Sequence, residues 1–421
     1  MPTAMAGLRG GKIGSERDRL SVGYTHDLMS GRIGTDELRN RLTHQQVPKT
    51  VTLVVNNFCN LACQHCYLQV EKLTADALSV DEWKKLTASI LAAEPELICL
   101  SGKEVFLGRN GTALIEHITQ LKRETNSSSR MGVITNGTLI EPHRDLIERA
   151  DFSYFDISID GAEARHDAVR GKGAFAQLRP NLEWASQTLG SRFFVSQTFQ
   201  KHNFRHLRET IEMLDGFGVQ NLGCGFYRPL SYTDQDLVLT DEDIASIFAD
   251  LPKLASIPLD SPKVVLFELD VIHMPALLGF LGSDWFDRDS IVADRNGQLY
   301  VEHTLKNGLK LQFRFSLTPS LISDSSRITP EGNYLAADDT IDTSKYAEYS
   351  LGNARDHDFD FAGLHLAGTQ SERIEQILQT YGEFTLPVLR KAFEESFSSS
   401  LIPAFSTTSA ISRKTSFAHV Q

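Results

Sequence analysis

The sequence predicts an α/β protein built on a parallel sheet, and three observations predict it. Short apolar runs recur along the first half of the chain, helix-length amphipathic segments separate them, and the rhythm stops after Pro229. Alternation of this kind implies parallel pairing and right-handed crossovers, hence a doubly wound sheet or a full or partial TIM-like barrel; periodicity alone leaves these open. The residues beyond Pro229 read as a smaller α+β region.

The elements come in order. Residues 51–55 (VTLVV) form a buried strand, and Ser79 with Glu82 makes a capping box for a helix that sets Trp83, Leu86, Ile90 and Leu91 on one face. Further strands are expected at 97–101 (LICLS), 131–135 (MGVIT), 152–159 (FSYFDISI), 193–199 (FFVSQTF) and 219–227 (VQNLGCGFY). Along the fourth, Asp156, Ser158 and Asp160 share one face and Ile157 and Ile159 the other, so the polar set faces a barrel interior. Thr240 begins a capped helix, and LYVEHTLKNGLKLQFRFS alternates around Asn307-Gly308, a strong hairpin signal. A long helical pattern spans 369–395. The Ser/Thr-rich tail from Ser396 is expected to be disordered, as is much of the first 20 residues. The expected division is therefore an N-terminal extension (1–47), a barrel (48–230), an α+β region (231–395) and a tail (396–421).

Composition bounds the function. With 41% hydrophobic and 23% charged residues among 421, the chain can bury a sizeable core. A formal net charge of -12 argues against a nucleic-acid partner. No run reaches the roughly 18 apolar residues of a membrane span, and Met1 to Gly14 lacks an apolar signal core, so no membrane partner and a cytoplasmic home are expected.

Five cysteines occur, and three of them, Cys59, Cys63 and Cys66, crowd into NNFCNLACQHCYLQV directly after the first strand. In a reducing compartment such thiols are metal ligands or catalytic groups before they are disulfides. The loop lies at the C-terminal face of the sheet, where barrel and doubly wound enzymes place their chemistry. Three close thiolates suit a soft metal or an iron–sulfur cluster. A structural zinc site asks for four ligands, and Cys99 and Cys224 are single and distant; three ligands leave one iron of a four-iron cluster open.

The run CNLACQHCY resembles the CxxxCxxC signature of the radical SAM superfamily. Further segments resemble that family in its own order. LSGKEVFL (Leu100 to Leu107) is similar to its GGEP motif, ITNGT (Ile134 to Thr138) to its TNG motif, and ISIDGAEARHDAVRGKGAF (Ile157 to Phe175) to the fourth-strand segment of SPASM-type members. The resemblance covers about 48 to 230 and implies a partial (β/α)6 TIM-like barrel. It also implies a [4Fe-4S] cluster ligated by Cys59, Cys63 and Cys66, whose open iron chelates S-adenosylmethionine (SAM). One electron from an external donor such as a flavodoxin or ferredoxin cleaves the sulfonium, and the 5′-deoxyadenosyl radical takes a hydrogen atom from the substrate. By the same resemblance Gly102 permits close backbone approach, Glu104 accepts from the amino group of SAM, and Ser158, Arg170 and Asn136 are candidates for its carboxylate or ribose.

Two departures stand out. Lys103 and Val105 replace the second glycine and the proline of GGEP, so the Lys103 ammonium must point away or pair with a carboxylate such as Glu104. The stretch from Ser326 to Asp356, with its LGN segment, resembles a SPASM or twitch extension, yet no cysteine follows Cys224, so auxiliary clusters are not expected. A redox-neutral reaction on a small molecule or natural-product intermediate is the favoured expectation; a ribosomal-peptide maturase and a catalytically silent scaffold are the alternatives. Strand parity groups Cys224 with Leu222 and Phe226, which makes it a core thiol and sets Tyr227, with Arg228, on the substrate side.

Overall fold

The structure, a computed structural model, describes Leu28 and residues 31–44, 47–66, 76–227, 234–261, 263–270, 291–293, 299–316, 325–335, 350–380, 382–383, 386–387 and 390–391. The expectations for the first 20 residues, for the tail from Ser396 and for Arg228 lie outside the described residues.

Six strands match the apolar runs: β1 (Thr50–Val54), β2 (Leu97–Ser101), β3 (Arg130–Thr135), β4 (Phe152–Ser158), β5 (Phe193–Phe199) and β6 (Asn221–Phe226). Seven more come after them: β7 (Val264–Asp270), β8 (Ile291–Ala293), β9 (Leu299–Thr304), β10 (Lys310–Ser316), β11 (Ser325–Ile328), β12 (Asn333–Leu335) and β13 (Ser350–Asn353). The helices are α1 (Thr35–His44), α2 (Val80–Ala92), α3 (Asn110–Thr125), α4 (Arg144–Arg149), α5 (Glu163–Arg170), α6 (Ala174–Thr188), α7 (Leu207–Gly216), α8 (Asp241–Asp250), α9 (Phe361–Thr369) and α10 (Glu372–Thr380).

The described strands form one sheet in the order β13-β12-β11-β1-β2-β3-β4-β5-β6-β7-β10-β9-β8. From β11 through β1 to β6 and on to β7 and β10, every neighbouring pair is parallel; β12 and β13 on one side, and β9 and β8 on the other, run antiparallel. The end strands are not paired with each other, so the barrel is open. Here the structure departs from a simple reading of the region after Pro229. Strands β7 and β10 extend the parallel sheet beyond β6, and β11 returns across the molecule to pair with β1. A distant return of this kind leaves no local periodicity to read.

Capping and turn chemistry work as expected. Ser79 Oγ accepts from Glu82 N at 3.3 Å, and Glu82 Oε2 accepts from Ser79 N at 2.8 Å, which starts α2. The reciprocal pair of Thr240 and Asp243 starts α8. Strands β9 and β10 form the antiparallel hairpin around Asn307-Gly308, with Gly308 at φ +84°. The long helical pattern at 369–395 instead contains a break after Thr369: α9 ends there, and α10 begins at Glu372. Gly368 is pressed against β13, where an added Cβ would lie 2.8 Å from Leu351 Cβ, so α9 packs directly on that strand.

The sheet has two faces. Outside, beneath the helices, lies the main core, with Trp83, Phe155, Phe199, Phe267 and Phe313 fully buried. Inside, the floor of the barrel is a smaller apolar cluster of Leu97, Cys99, Tyr154, Phe194 and Leu266. Gly132 leaves room for the Tyr154 ring, which would otherwise lie 2.1 Å from its Cβ. Cys224 is completely buried in the outer core, and burial pushes its thiol up, as befits a packing residue. Among the described residues no helix is long and apolar enough to cross a membrane.

Candidate functional site

The mouth of the barrel is built from the loops that succeed β1 to β4. The first carries Cys59, Cys63 and Cys66, all unbridged and half-buried. Two sets of contacts hold this loop. On the β3 side, Asn136 Nδ2 donates to Asn60 Oδ1 at 3.0 Å and to Cys59 Sγ at 3.5 Å, while Asn60 Nδ2 donates to Thr138 Oγ1 at 2.8 Å. On the α5 side, Gln64 N donates to Val169 O at 3.1 Å, and His65 Nε2 lies 3.7 Å from Asp160 Oδ2.

The loop is therefore clamped from both flanks before any cofactor arrives. Burial pushes the Cys63 thiol up to about 11, against the pull of the Arg170 guanidinium; Cys66 and Cys59 push it the same way as burial, so the three thiols sense one another. Burial likewise raises Cys59.

The second loop is tied to the first by its backbone. Gly102 has φ +139°, and an added Cβ would lie 3.3 Å from Asn56 O, so the close approach expected there is to the end of β1. Asn56 Nδ2 donates to Glu104 O at 2.6 Å and to Leu107 O at 3.1 Å. The Glu104 carboxylate is fully buried and takes three donors from the chain. Thr135 Oγ1 reaches Oε1 at 2.7 Å, Phe106 N reaches Oε1 at 3.0 Å, and Asn136 N reaches Oε2 at 2.8 Å. A carboxylate offers about four acceptor directions, so about one remains for a further donor. Burial raises Glu104 even though these hydrogen bonds lower it. All three of its donors are backbone N–H or threonine hydroxyl groups, and Lys103 is not among them.

The fourth strand ends in a buried ion pair. Arg170 Nε donates to Asp160 Oδ2 at 2.6 Å; Asp160 is completely buried and Arg170 nearly so. Burial alone would raise Asp160, but Arg170, then His65 and His166, and the Thr198 N–H overcome it and hold the carboxyl below its usual range.

The sequence-predicted residues thus converge on one mouth, though not all in the expected roles. Asn136 spends its amide on Cys59, Asn60 and Thr138. Arg170 is anchored by Asp160, and its charge acts on Cys63. Ser158 is half-buried at the end of β4, with no side-chain hydrogen bond among the described residues. Tyr227 is buried, and its hydroxyl donates to Asp234 O at 3.1 Å.

Sequence reasoning missed Asn56, Thr135 and the Asp160–Arg170 pairing. The inward parity of Asp160 was visible in the sequence, but its partner ten residues on was not.

As a donor set, three soft thiols on one clamped loop fit an iron–sulfur cluster. Among the described residues no three His, Cys, Asp or Glu side chains converge as ligands of one ion do. A four-iron cluster asks instead that each thiolate bind its own iron around a larger object. In donor and acceptor chemistry, the remaining acceptor direction of Glu104, the Ser158 hydroxyl and the Arg170 guanidinium fit the amino, hydroxyl and carboxylate groups of SAM.

Comparison with known proteins agrees. Residues 53–214 match the family described as the Radical SAM superfamily. The chain is 30% identical over 145 residues to the antilisterial bacteriocin subtilosin biosynthesis protein AlbA of Bacillus subtilis, covering 33% of this chain and 31% of that protein. It is 27% identical over 133 residues to the GTP 3′,8-cyclase of Synechocystis, covering 31% and 39%. The aligned segments span only about a third of these relatives. In three dimensions native anSMEcpe with bound AdoMet superposes with a TM-score of 0.57 at 14% identity, covering 86% of this chain and 99% of that one, a likeness of fold. The radical SAM superfamily uses a [4Fe-4S] cluster and SAM, and with its motif segments meeting at one barrel mouth, residues 53–214 of the chain form a radical SAM domain.

Proposed function

We propose that the protein is a radical SAM enzyme acting on a carbon–hydrogen bond of a substrate held inside the open barrel, with a redox-neutral outcome. The observation that carries it is the clamped loop on which Cys59, Cys63 and Cys66 meet Asn136 on one side and Arg170 on the other. Cys59, Cys63 and Cys66 hold the cluster, and Glu104, Ser158 and Arg170 hold SAM. When bound, these groups supply a 5′-deoxyadenosyl radical after one-electron reduction.

The chain's own contribution is positional. Asn136 and His65 fix the cysteine loop, Asn56 and Gly102 fix the Glu104 loop against it, and the Asp160–Arg170 pair presents a cation to the thiolate side. The electron comes from an external flavodoxin- or ferredoxin-like donor, and the setting is cytoplasmic. The redox-neutral outcome rests on the lack of any cysteine after Cys224 in these residues, which leaves no thiolates for auxiliary clusters.

The substrate is a small molecule or natural-product intermediate. A second reading, maturation of a ribosomally made peptide, is favoured by the match to a bacteriocin biosynthesis protein. Reductive incubation of the reconstituted protein with SAM tests the common core of both readings. Release of 5′-deoxyadenosine supports it, whereas a loaded cluster without SAM cleavage makes the chain a silent scaffold.

A further inference from the structure

Above the apolar floor, the barrel interior turns polar, unlike the packed aliphatic layers that fill a closed barrel. Asp156 on β4 points inward and is completely buried. Its Oδ2 accepts from Ser196 Oγ on β5 at 2.6 Å, while its Oδ1 has no hydrogen-bond partner. Glu268 on β7 shares that face, since the parity of its strand puts Leu266 in the floor cluster and Phe267 in the outer core. Its Oε1 is also buried without a hydrogen bond and is held only by a long ion pair, 3.8 Å from Nη1 of the buried Arg314. Between these strands β6 presents glycine, and a Cβ built on Gly225 meets nothing within 4 Å.

The Asp156 oxygen without a donor and the Glu268 oxygen held only by a long ion pair, beside open space, leave a specific chemical gap. An unsatisfied buried acceptor is costly, and native interiors seldom leave such atoms unpaired. A group that carries several donors and a positive charge fills the gap; a carboxylate or an apolar group does not. Asp156 is pushed up to about 7 by burial, with the Glu268 charge adding to the effect against the Ser196 hydrogen bond, and an arriving cation reverses that balance.

We propose that this recess, formed by Asp156, Ser196 and Glu268 around the space at Gly225, is a substrate subsite for a primary ammonium group. The subsite presumes the radical SAM reading above only in calling its occupant the substrate; its chemistry is testable without cluster or SAM.

The test places the cation on the chain itself. Gly225→Lys and Gly225→Met put side chains of similar length, charged and neutral, into the open space, and thermal unfolding of the full chain at neutral pH compares them. The expected result is a midpoint for Gly225→Lys about 2 °C or more above Gly225→Met, with the gap lost when Glu268→Gln or Asp156→Asn is added. A Met variant as stable as the Lys variant, or a gap that survives both carboxylate substitutions, overturns the proposal. If neither variant folds, the parent chain is titrated with 1,5-diaminopentane and with 1,5-pentanediol. A midpoint raised by the diamine alone supports the subsite, and equal responses overturn it. Because the parent's SAM cleavage is measured separately, failure of the ammonium subsite and failure of the radical SAM reading remain distinguishable.

Discussion

Glu104 shows how much a single side chain at this mouth carries. Its carboxylate ties the end of β2 to the end of β3 through Thr135, Asn136 and Phe106, while its carbonyl is held by Asn56 from the end of β1. Replacing Glu104 with Ala leaves two backbone N–H groups and a hydroxyl buried without an acceptor. The expected cost is about 3 kcal/mol, read by urea unfolding of the metal-free chain, together with weaker SAM binding in the reconstituted protein. A loss under about 1 kcal/mol shows that the carboxylate does not clamp the loops. Asp160 makes a similar point about charge. Asp160→Asn leaves the nearly buried Arg170 without its counter-ion and is expected to destabilise the chain by about 3 kcal/mol; unfolding that matches the parent contradicts a buried pair.

At the level of elements, α3 packs against the loop that bears Glu104 with almost no clearance. A Cβ on Gly111 would lie 2.0 Å from Val105 O and 2.8 Å from Val105 Cγ1. Gly111→Ala is therefore expected to cost on the order of 1–3 kcal/mol and to lower SAM affinity by shifting Val105 and its neighbour, while Gly216→Ala, whose Cβ meets nothing within 4 Å, serves as the control. Equal effects from the two substitutions rule out the steric account. Elements of this kind were legible in the sequence where the signal was local. The six apolar runs became β1 to β6 within a residue or two, and the Ser79–Glu82 and Thr240–Asp243 boxes and the Asn307-Gly308 hairpin formed where expected. The parallel return of β11 to β1 was not legible, because it depends on pairing with a distant strand, and the break between α9 and α10 left no Pro or Gly signal at residues 370–371. The same holds at the site. The cysteine spacing and strand parity could be read, but Asn56 to Glu104, or Asp160 to Arg170, are pairings made only by the folded barrel.

Over the whole molecule, the extension after the barrel is fastened back to its start. Arg355, just beyond β13, donates to Glu82 at 2.7 Å in the capping box of α2 and to the carbonyls of Asp76 and Ala77; the Pro330 carbonyl accepts from Leu78 N, and Glu331 accepts from Asn57 beside the cysteine loop. The hydrogen bond from Arg355, with that from the Ser79 N–H, lowers Glu82 from 4.5 to about 2. Glu82 thus contributes its stabilisation in full above about pH 4.5 and loses it as the pH falls through about 2. Because its side chain is 26% exposed, the contribution is discounted to about 1 kcal/mol. In Arg355→Met the fall in stability between those pH values is expected to be smaller by that amount, as seen in urea midpoints across the range, whereas parallel pH curves for parent and variant contradict the linkage. The central claim is that the barrel mouth holds a cluster through three cysteines of one loop. Iron and sulfide analysis after anaerobic reconstitution tests it most directly. About four of each per chain are expected in the parent, with a marked loss in Cys63→Ala. A Cys63→Ala protein that keeps its full iron and sulfide and still cleaves SAM would contradict it.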